Sequence, residues 1–327
     1  MPELGPYRPQ VVALLQRRAF QDAAVLAAEF RGLRFIPAAK PDWKGRLAEA
    51  DAAVLGYGFN LDEVLEQAPG LRWVHTESAG VDRLFTPRFR ASGALLTKSA
   101  GVHAVPIAEH VLALAFAFAR QLPALGRAQS RQEWLRPEPS AAFELEGQTL
   151  VVLGLGPIGQ ALGRKAAGLG LRVLGVRRDP LGAPPPGFEA VLPLARLAEA
   201  LAQADHAAIC LPLTPETKGL FNEDRFQQLK PGAFLYNIGR GRIVDQGALQ
   251  RALQQGRLAG AGLDVTDPEP LPPASPLWSD PRVIITNHTS GASSKNADRT
   301  LALVKENLGR ALRGEALLNA VDPEREY

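Results

Sequence analysis

The chain has 327 residues, 46% hydrophobic and 22% charged, which is the composition of a globular protein long enough for two domains. Its one cysteine, Cys210, excludes an intramolecular disulfide and a zinc site built on several cysteines, and we expect a reducing, cytoplasmic location and no metal. The formal charge of +3 is small and basic residues form no run, so we expect no nucleic-acid partner. The longest apolar run, Val111 to Ala119, is too short to cross a membrane.

The residues before position 100 alternate short apolar segments with helical patterns. Helices are predicted at Gln21–Arg31 and Leu61–Gln67. The apolar segments predict strands at Gln10–Leu15, Leu33–Ile36, Ala52–Tyr57, Leu71–Thr76 and Ala94–Thr97. Such alternation is typical of a parallel sheet covered by helices on both faces.

A strongly apolar helix is predicted from near Ala104. Its apolar residues, which include Val111, Leu114 and Phe118, occupy much of the helix circumference. This pattern is typical of a helix buried between domains or subunits, and equally of an ordinary core helix.

A glycine-rich turn follows an apolar segment and leads directly into a helical pattern. In Gly-x-Gly-x-x-Gly, Gly154 permits a tight turn, Gly156 lets the backbone approach a pyrophosphate, and Gly159 lets helix and strand pack closely. Pro157 starts a helix well, and because it has no amide hydrogen, the amide of Ile158 is the expected phosphate donor. The turn therefore predicts a dinucleotide-binding domain.

The alternation resumes after the glycine turn. Helices are predicted at Ile158–Gly168, Leu194–Gln203, Glu223–Leu229, Gln246–Gln255 and Ser293–Arg313. Strands are predicted at Arg172–Val176, His206–Leu211, Ala233–Asn237, Gly260–Val265 and Val283–Thr286. The whole pattern predicts an α/β fold made of two doubly wound parallel-sheet domains.

The end of the next strand indicates which nucleotide is bound. An acidic residue about 20 positions beyond the glycines commonly accepts from the adenosine ribose of NAD. At this place, 18 residues beyond Gly159, the chain has Arg177, and Arg178 follows. Adjacent guanidinium groups suit a ribose 2′-phosphate, so we expect NADP(H) to be preferred, with NAD(H) possible if Asp179 turns back to the ribose.

Three later segments carry candidate catalytic groups. Arg240, Glu269 and His288 each lie beyond a different predicted strand. Because ligands bind at the carboxyl ends of strands in an open parallel sheet, these groups can meet in one site although they are distant in sequence. Each alone has a plainer explanation, as a loop cation, a surface carboxylate or a core imidazole.

With these segments in place, the chain resembles the D-isomer-specific 2-hydroxyacid dehydrogenases over nearly its whole length. The resemblance rests on the glycine turn, the three catalytic segments, Ser78-Ala79-Gly80-Val81-Asp82, Gly101-Val102-His103, Ile107-Ala108-Glu109-His110, Leu211 to Thr217, Glu306-Asn307-Leu308 and Asn319-Ala320-Val321-Asp322. It implies a Rossmann coenzyme domain at 102–291 and a flavodoxin-like substrate domain formed by 1–101 and 292–327, with the active-site cleft between them.

The resemblance also implies residue roles. Arg240 would bind the carboxylate and carbonyl oxygens of the substrate, His288 would act as general acid and base, and Glu269 would orient the imidazole. The amides of Ser78, Ala79, Gly80 and Val81 would clamp the substrate carboxylate, and Tyr57 is a further substrate candidate. Other cofactor contacts would come from Leu211, Pro212, Thr217, Ile238, Gly239, Asp264 and Gly291.

The implied activity is NADPH-dependent reduction of a small 2-keto acid, glyoxylate or hydroxypyruvate, to the D-2-hydroxy acid by a homodimer. One alternative is an NAD-dependent dehydrogenase for another D-2-hydroxy acid, such as phosphoglycerate or lactate. A serine-pathway enzyme with an appended amino-acid sensor is not expected, because the chain ends soon after Val321. Another alternative is a nucleotide-sensing binding protein like the corepressors of this fold.

Two features qualify the resemblance. The family usually has proline before the catalytic histidine, whereas this chain has Asn287, so we expect a less rigid loop with activity retained. Trp134 could line the substrate pocket of a partner subunit or simply pack within its own chain. The remaining histidines, His75, His103, His110 and His206, are interpreted as structural or cofactor-adjacent.

Overall fold

The computed structural model describes residues 7–38, 43–180 and 182–324. The chain divides into two compact units, the first formed by Met1–His103 with Ser293–Tyr327 and the second by Ala104–Ala292. These divisions fall two residues and one residue later than the expected domain boundaries after 101 and 291.

The first unit is built on a parallel five-stranded sheet in the order β2-β1-β3-β4-β5, the flavodoxin-like order expected. Its strands are β1 (Val11–Leu15), β2 (Arg34–Pro37), β3 (Ala52–Leu55), β4 (Trp73–Thr76) and β5 (Leu95–Lys98). Its helices are α1 (Ala19–Glu29), α2 (Leu61–Gln67), α3 (Pro87–Ser92) and α10 (Asn296–Arg313).

Both faces of this sheet are buried. Successive strand residues point to opposite sides, so neighbouring residues enter different hydrophobic clusters. On β1, Leu14 packs in a cluster with Leu26 of α1 and Leu308 of α10. Its neighbour Leu15 packs in a separate cluster with Val64 of α2. Helix α10 therefore belongs to this unit although it lies at the other end of the sequence.

The second unit has a parallel seven-stranded sheet in the order β12-β11-β10-β9-β6-β7-β8. Its strands are β6 (Thr149–Leu153), β7 (Arg172–Arg177), β8 (Ala190–Pro193), β9 (His206–Ile209), β10 (Ala233–Asn237), β11 (Leu258–Leu263) and β12 (Val283–Ile285). Its helices are α4 (Ala104–Ala119), α5 (Leu122–Ser130), α6 (Pro157–Ala167), α7 (Leu197–Leu201), α8 (Glu223–Gln228) and α9 (Gln246–Gln254).

The strand order of the second unit reverses between β6 and β9, which is the nucleotide-binding switch point of a Rossmann fold. Val151 and Leu153 of β6 face a core shared with α7, α8 and α9. Leu150 and Val152 face the core shared with α4 and α6. The sheet is thus wound on both sides, and the predicted fold class is confirmed.

Some elements differ from expectation. Strand β8 and helices α3 and α5 were not predicted, and the helix expected over Leu194–Gln203 is a short 3-10 turn followed by α7. Helix α4 is not buried all round, because Val105 and Phe116 are 38% and 40% exposed. Within the described ranges, no single helix has the length and apolar composition to span a membrane; α4 and α5 meet that test only as a pair bent by 71°.

Candidate active site

The glycine turn has the geometry that a dinucleotide requires. Gly154 has φ 95°, in the left-handed region that favours glycine. A Cβ on Gly159 would lie 2.0 Å from the Gly154 carbonyl oxygen, whereas a Cβ on Gly156 would meet no atom within 4 Å. Gly159 is thus needed for packing, whereas Gly156 leaves open space before α6. Pro157 and Ile158 form the first turn of that helix. Gly156 is the N-cap and has no side chain to cap that turn, so the helix end fits a pyrophosphate.

The two arginines lie at the carboxyl end of β7. Arg177 is the last residue of the strand, and both it and Arg178 are exposed. Arg178 Nη2 lies 3.9 Å from Glu216 Oε2, and both side chains are at least half exposed. This ion pair is loose and screened, so it leaves the guanidinium available to an anion.

The segment after β9 forms the other wall of the switch point. The Thr217 hydroxyl donates to the Pro212 carbonyl at 2.7 Å and accepts from the Thr214 amide at 2.8 Å. Leu211 is half-buried and Pro212 exposed, which leaves the proline accessible to a ligand. Thr217 is buried and shapes this loop, and its contact with the cofactor stays a prediction.

The loop after β10 carries Arg240. A Cβ on Gly239 would lie 2.7 Å from the Leu211 carbonyl oxygen, so only glycine lets the two loops approach this closely. The side chain of Asn237, which sequence reasoning did not single out, accepts from the Gly239 amide at 3.2 Å and donates to the Arg240 carbonyl at 3.0 Å. The half-buried Arg240 donates from Nη1 to the Gly239 carbonyl at 2.8 Å. Ile238, before these residues, is buried.

The structure brings Glu269 and His288 together. The Nδ1 atom of His288 lies 2.5 Å from Glu269 Oε1, a charge-assisted distance. The imidazole is 49% exposed and the carboxylate side chain 32%, so the pair is open on one side. Because Nδ1 is engaged by the carboxylate, Nε2 is the nitrogen left to face a substrate.

Gly241 joins the arginine loop to the glutamate loop. A Cβ there would lie 1.9 Å from the Thr266 carbonyl oxygen. Thr266 in turn donates its hydroxyl to the Pro268 carbonyl at 2.9 Å, next to Glu269. The three candidate catalytic residues therefore lie on loops that close packing holds in one part of the second unit.

Asp264 anchors the loop that carries His288. This carboxylate is 2% exposed, and it accepts from the Thr286 hydroxyl at 2.8 Å, the Thr289 amide at 2.9 Å and the Ser290 amide at 3.1 Å. The Ser290 hydroxyl donates to its other oxygen, and the His288 amide donates to the Asp264 carbonyl at 2.6 Å. A contact of Asp264 with the nicotinamide stays a prediction, as does one of the half-buried Gly291. The run of hydroxyl residues around His288 was the available sequence signal for this anchoring.

The predicted substrate residues lie in the first unit, at the carboxyl ends of β3 and β4. Tyr57 is 70% exposed. The Ser78 hydroxyl donates to the Gly80 carbonyl at 2.7 Å, which closes a tight loop around the half-buried Ala79. Val81 buries its side chain in the core, so only its backbone is available to a ligand. That these residues and the His288 loop face one substrate stays a prediction.

Glu77, directly before this loop, was not singled out from the sequence. Burial, followed by the nearby Asp22, raises the pKa of its carboxyl to about 7, while the Tyr57 amide acts in the opposite direction. A Cβ on Gly56 would lie 2.8 Å from Glu77 Oε2, so glycine leaves room for this carboxyl.

Two of the other histidines are core residues with polar partners. His75 contacts the hydroxyls of Thr97 and Ser99, and burial lowers its pKa to about 4. His206 contacts the hydroxyl of Tyr236 and the side-chain amide of Gln148, and burial lowers its pKa to about 4 as well. His103 contacts the Glu77 carbonyl oxygen at 3.2 Å.

Trp134 does not pack within its own chain, because it is 88% exposed. That Trp134 packs against a partner subunit, or lines its substrate pocket, stays a prediction. A cavity of about 460 Å³ lies among residues such as Asp205, Gly232 and Pro281, which precede strands β9, β10 and β12, so it is at the opposite edge of the sheet from His288. Among the described residues, no cluster of three or more His, Cys, Asp or Glu side chains could hold a metal.

Sequence comparison places the chain among known dehydrogenases. It is 35% identical to a glyoxylate reductase of Korarchaeum cryptofilum over 291 residues, covering 85% of each chain. It is also 35% identical to a D-3-phosphoglycerate dehydrogenase of Mycobacterium tuberculosis over 275 residues, covering 84% of this chain and 51% of that protein.

Solved structures agree. A D-isomer specific 2-hydroxyacid dehydrogenase of Xanthobacter autotrophicus in complex with NADPH superposes with a TM-score of 0.81 at 32% identity, covering 96% of this chain and 99% of that one. An NADPH-dependent glyoxylate/hydroxypyruvate reductase of Sinorhizobium meliloti in complex with NADP and sulfate also superposes with a TM-score of 0.81, at 27% identity over 97% and 100% of the two chains.

The family model described as D-isomer specific 2-hydroxyacid dehydrogenase, NAD binding domain, matches residues 112–290, which include the glycine turn, Arg240 and the Glu269–His288 pair. The chain therefore belongs to the D-isomer specific 2-hydroxyacid dehydrogenase family and is an oxidoreductase.

Proposed function

We propose that this protein reduces a small 2-keto acid, glyoxylate or hydroxypyruvate, to the D-2-hydroxy acid with NADPH. The observation that carries the proposal is the 2.5 Å contact between Glu269 and His288, in the same unit as Arg240 and an open dinucleotide turn. The relatives that the chain matches are dehydrogenases and reductases, which favours an enzyme over a nucleotide-sensing corepressor.

The residues supply each group that the reaction needs. When bound, the reduced nicotinamide provides a hydride for the carbonyl carbon. The guanidinium of Arg240 binds the substrate carboxylate and carbonyl oxygen and thereby fixes the geometry of attack. Protonated His288 donates the proton on Nε2 to the carbonyl oxygen, and becomes neutral as the hydroxyl forms. Glu269 accepts from Nδ1 and thereby orients the imidazole so that Nε2 faces the substrate.

The preference for NADP(H) rests on the two cations at the carboxyl end of β7. Arg177 and Arg178 are exposed at the position where an NAD enzyme usually has a carboxylate, and two guanidinium groups suit a 2′-phosphate. Two similar structures were solved with NADPH or NADP. We further propose a homodimer, because Trp134 and Leu122 are 88% and 53% exposed on the second unit. A cytoplasmic location is proposed from the single cysteine.

A substrate panel tests the function. Glyoxylate, hydroxypyruvate and pyruvate are each assayed with NADPH and NADH, and D-3-phosphoglycerate with the oxidised cofactors. The highest kcat/KM is expected for glyoxylate or hydroxypyruvate with NADPH. Turnover confined to D-3-phosphoglycerate would favour the alternative dehydrogenase, and no turnover of any acid would refute the proposal. In the active case, His288→Ala should lower kcat by roughly 100-fold or more while the nucleotide Kd is unchanged.

Cofactor choice has its own test. Arg177→Asp should reverse the preference from NADPH to NADH, because a carboxylate repels the 2′-phosphate and accepts from the ribose hydroxyls. Arg172→Gln, on the same strand but at its amino end, is the control for the loss of a cation, because it removes the charge without placing a second carboxylate beside Glu189. A wild-type preference for NADH would contradict the role given to the two arginines.

A further inference from the structure

Helix α4 contacts the catalytic loop through a histidine that the proposed reaction does not use. His110 lies on α4 and is half-buried, and its Nε2 is 2.9 Å from the Thr286 hydroxyl oxygen. Thr286 follows β12 and lies two residues before His288. The same hydroxyl oxygen is 2.8 Å from Asp264 Oδ1.

The donor and acceptor of each hydrogen bond between His110, Thr286 and Asp264 follow from counting protons. Ionised Asp264 can only accept, so the single hydroxyl hydrogen of Thr286 is committed to the carboxylate. Towards His110 the hydroxyl oxygen is then an acceptor, and His110 must carry a hydrogen on Nε2. The chain therefore runs from His110 through Thr286 to Asp264.

Close packing makes this contact possible. A Cβ on Gly262 of β11 would lie 2.9 Å from Leu114 Cδ1 on α4, and one on Gly260 would lie 2.9 Å from Phe118 on the same helix. Two glycines on one strand thus let α4 sit nearer the sheet than side chains would allow. Strand β12 is the neighbour of β11, so its end falls within reach of His110.

We propose that His110 is a positioning residue for His288, acting through Thr286 and Asp264 on the loop that carries the imidazole. Asp264 also accepts from the amides of Thr289 and Ser290 and, through its carbonyl, from the amide of His288 itself. Of these donors to Asp264, Thr286 is the one that also contacts α4, through His110. The position of the helix therefore helps to determine where Asp264 holds the loop. The inference rests on the proposed acid–base role of His288.

Paired variants test it. His110→Leu and Thr286→Val remove the hydrogen bonds at similar volume, whereas His110→Gln and Thr286→Ser keep a donor and a hydroxyl. The first pair should lower kcat about tenfold, as expected for the loss of a part-buried hydrogen bond, with nucleotide Kd unchanged. The second pair should stay within about threefold of wild type. The His110→Leu/Thr286→Val double variant should be no slower than either single variant, because both break one chain.

Several results would overturn the proposal: unchanged kcat in the first pair, equal loss in both pairs, or additive loss in the double variant. A second measurement tests the hydrogen bonds in the wild-type protein itself. The protein has five histidines, and nitrogen NMR of wild-type protein with isotope-labelled histidine should show that His110 carries a hydrogen on Nε2. His110→Gln identifies the resonance, and a hydrogen on Nδ1 alone would refute the chain. If wild-type enzyme reduces no keto acid, the proposed function fails while this NMR result stands.

Discussion

Asn287→Pro probes whether the left-handed conformation of the catalytic loop matters for the proposed reaction. Asn287 and His288 have φ of 49° and 56°, a region that asparagine tolerates better than most residues. Proline holds φ near about −65°, so it cannot adopt the conformation found at position 287.

The magnitude follows from the bonds that a changed backbone would break. The amides of His288, Thr289 and Ser290 all donate to Asp264, at 2.6, 2.9 and 3.1 Å. At about 1 kcal/mol each, their loss amounts to about 3 kcal/mol. If the variant must spend this free energy to bring its loop into the active conformation, kcat falls by roughly 100-fold.

The assay is steady-state kinetics with the best keto acid, alongside thermal unfolding. Asn287→Gly is the matched control, because glycine adopts positive φ without a Cβ penalty, and it should keep kcat within about threefold of wild type. Asn287→Pro with wild-type kcat would show that the proposed catalysis does not need this loop conformation.

Three further predictions concern the nucleotide turn and the buried titratable groups. Gly156→Ala should leave Tm unchanged but weaken nucleotide binding, since its Cβ meets only open space, whereas Gly159→Ala should lower both; equal Tm losses would contradict the geometry. Burial lowers the pKa of His75 and of His206 from 6.5 in the unfolded chain to about 4 in the folded protein. The free energy of unfolding should therefore fall as pH drops from 6.5 to about 4, by up to about 3 kcal/mol for each histidine, which urea unfolding measures. The pKa of Glu77 is raised from 4.5 to about 7, so the wild type loses stability as pH rises through this range: Glu77→Gln should be equal to wild type at about pH 4 and more stable than it at about pH 8, and a constant difference would exclude the buried carboxyl as its cause.

Most strands were predictable because their signal is local. Buried parallel strands are continuous apolar runs, and Ala233–Asn237 was predicted to the residue. Strand β8 was missed, since Ala190–Pro193 is a half-buried edge strand that ends in proline. Helix α5 was missed because it is short, at nine residues, and Ala128 is the one residue in it that the structure buries.

Site residues were likewise predictable where their signal is local in the sequence. Glycine spacing and the residues that follow strand ends predicted the nucleotide turn, the two arginines and the Glu269–His288 pair, because parallel strands bring their carboxyl ends to one edge. The sequence did not predict the anchoring role of Asp264 or the contact of His110 with Thr286.

The sequence by itself determined the order of strands and helices, the glycine turn and the residue types available for redox chemistry, since these depend on periodicity and short spacing. Tertiary structure alone decided which polar atoms meet. His110 and Thr286 are 176 positions apart, and they touch only because glycines on β11 let α4 approach the sheet. No local pattern encodes such a hydrogen bond, because its geometry depends on the packing of side chains from several elements at once.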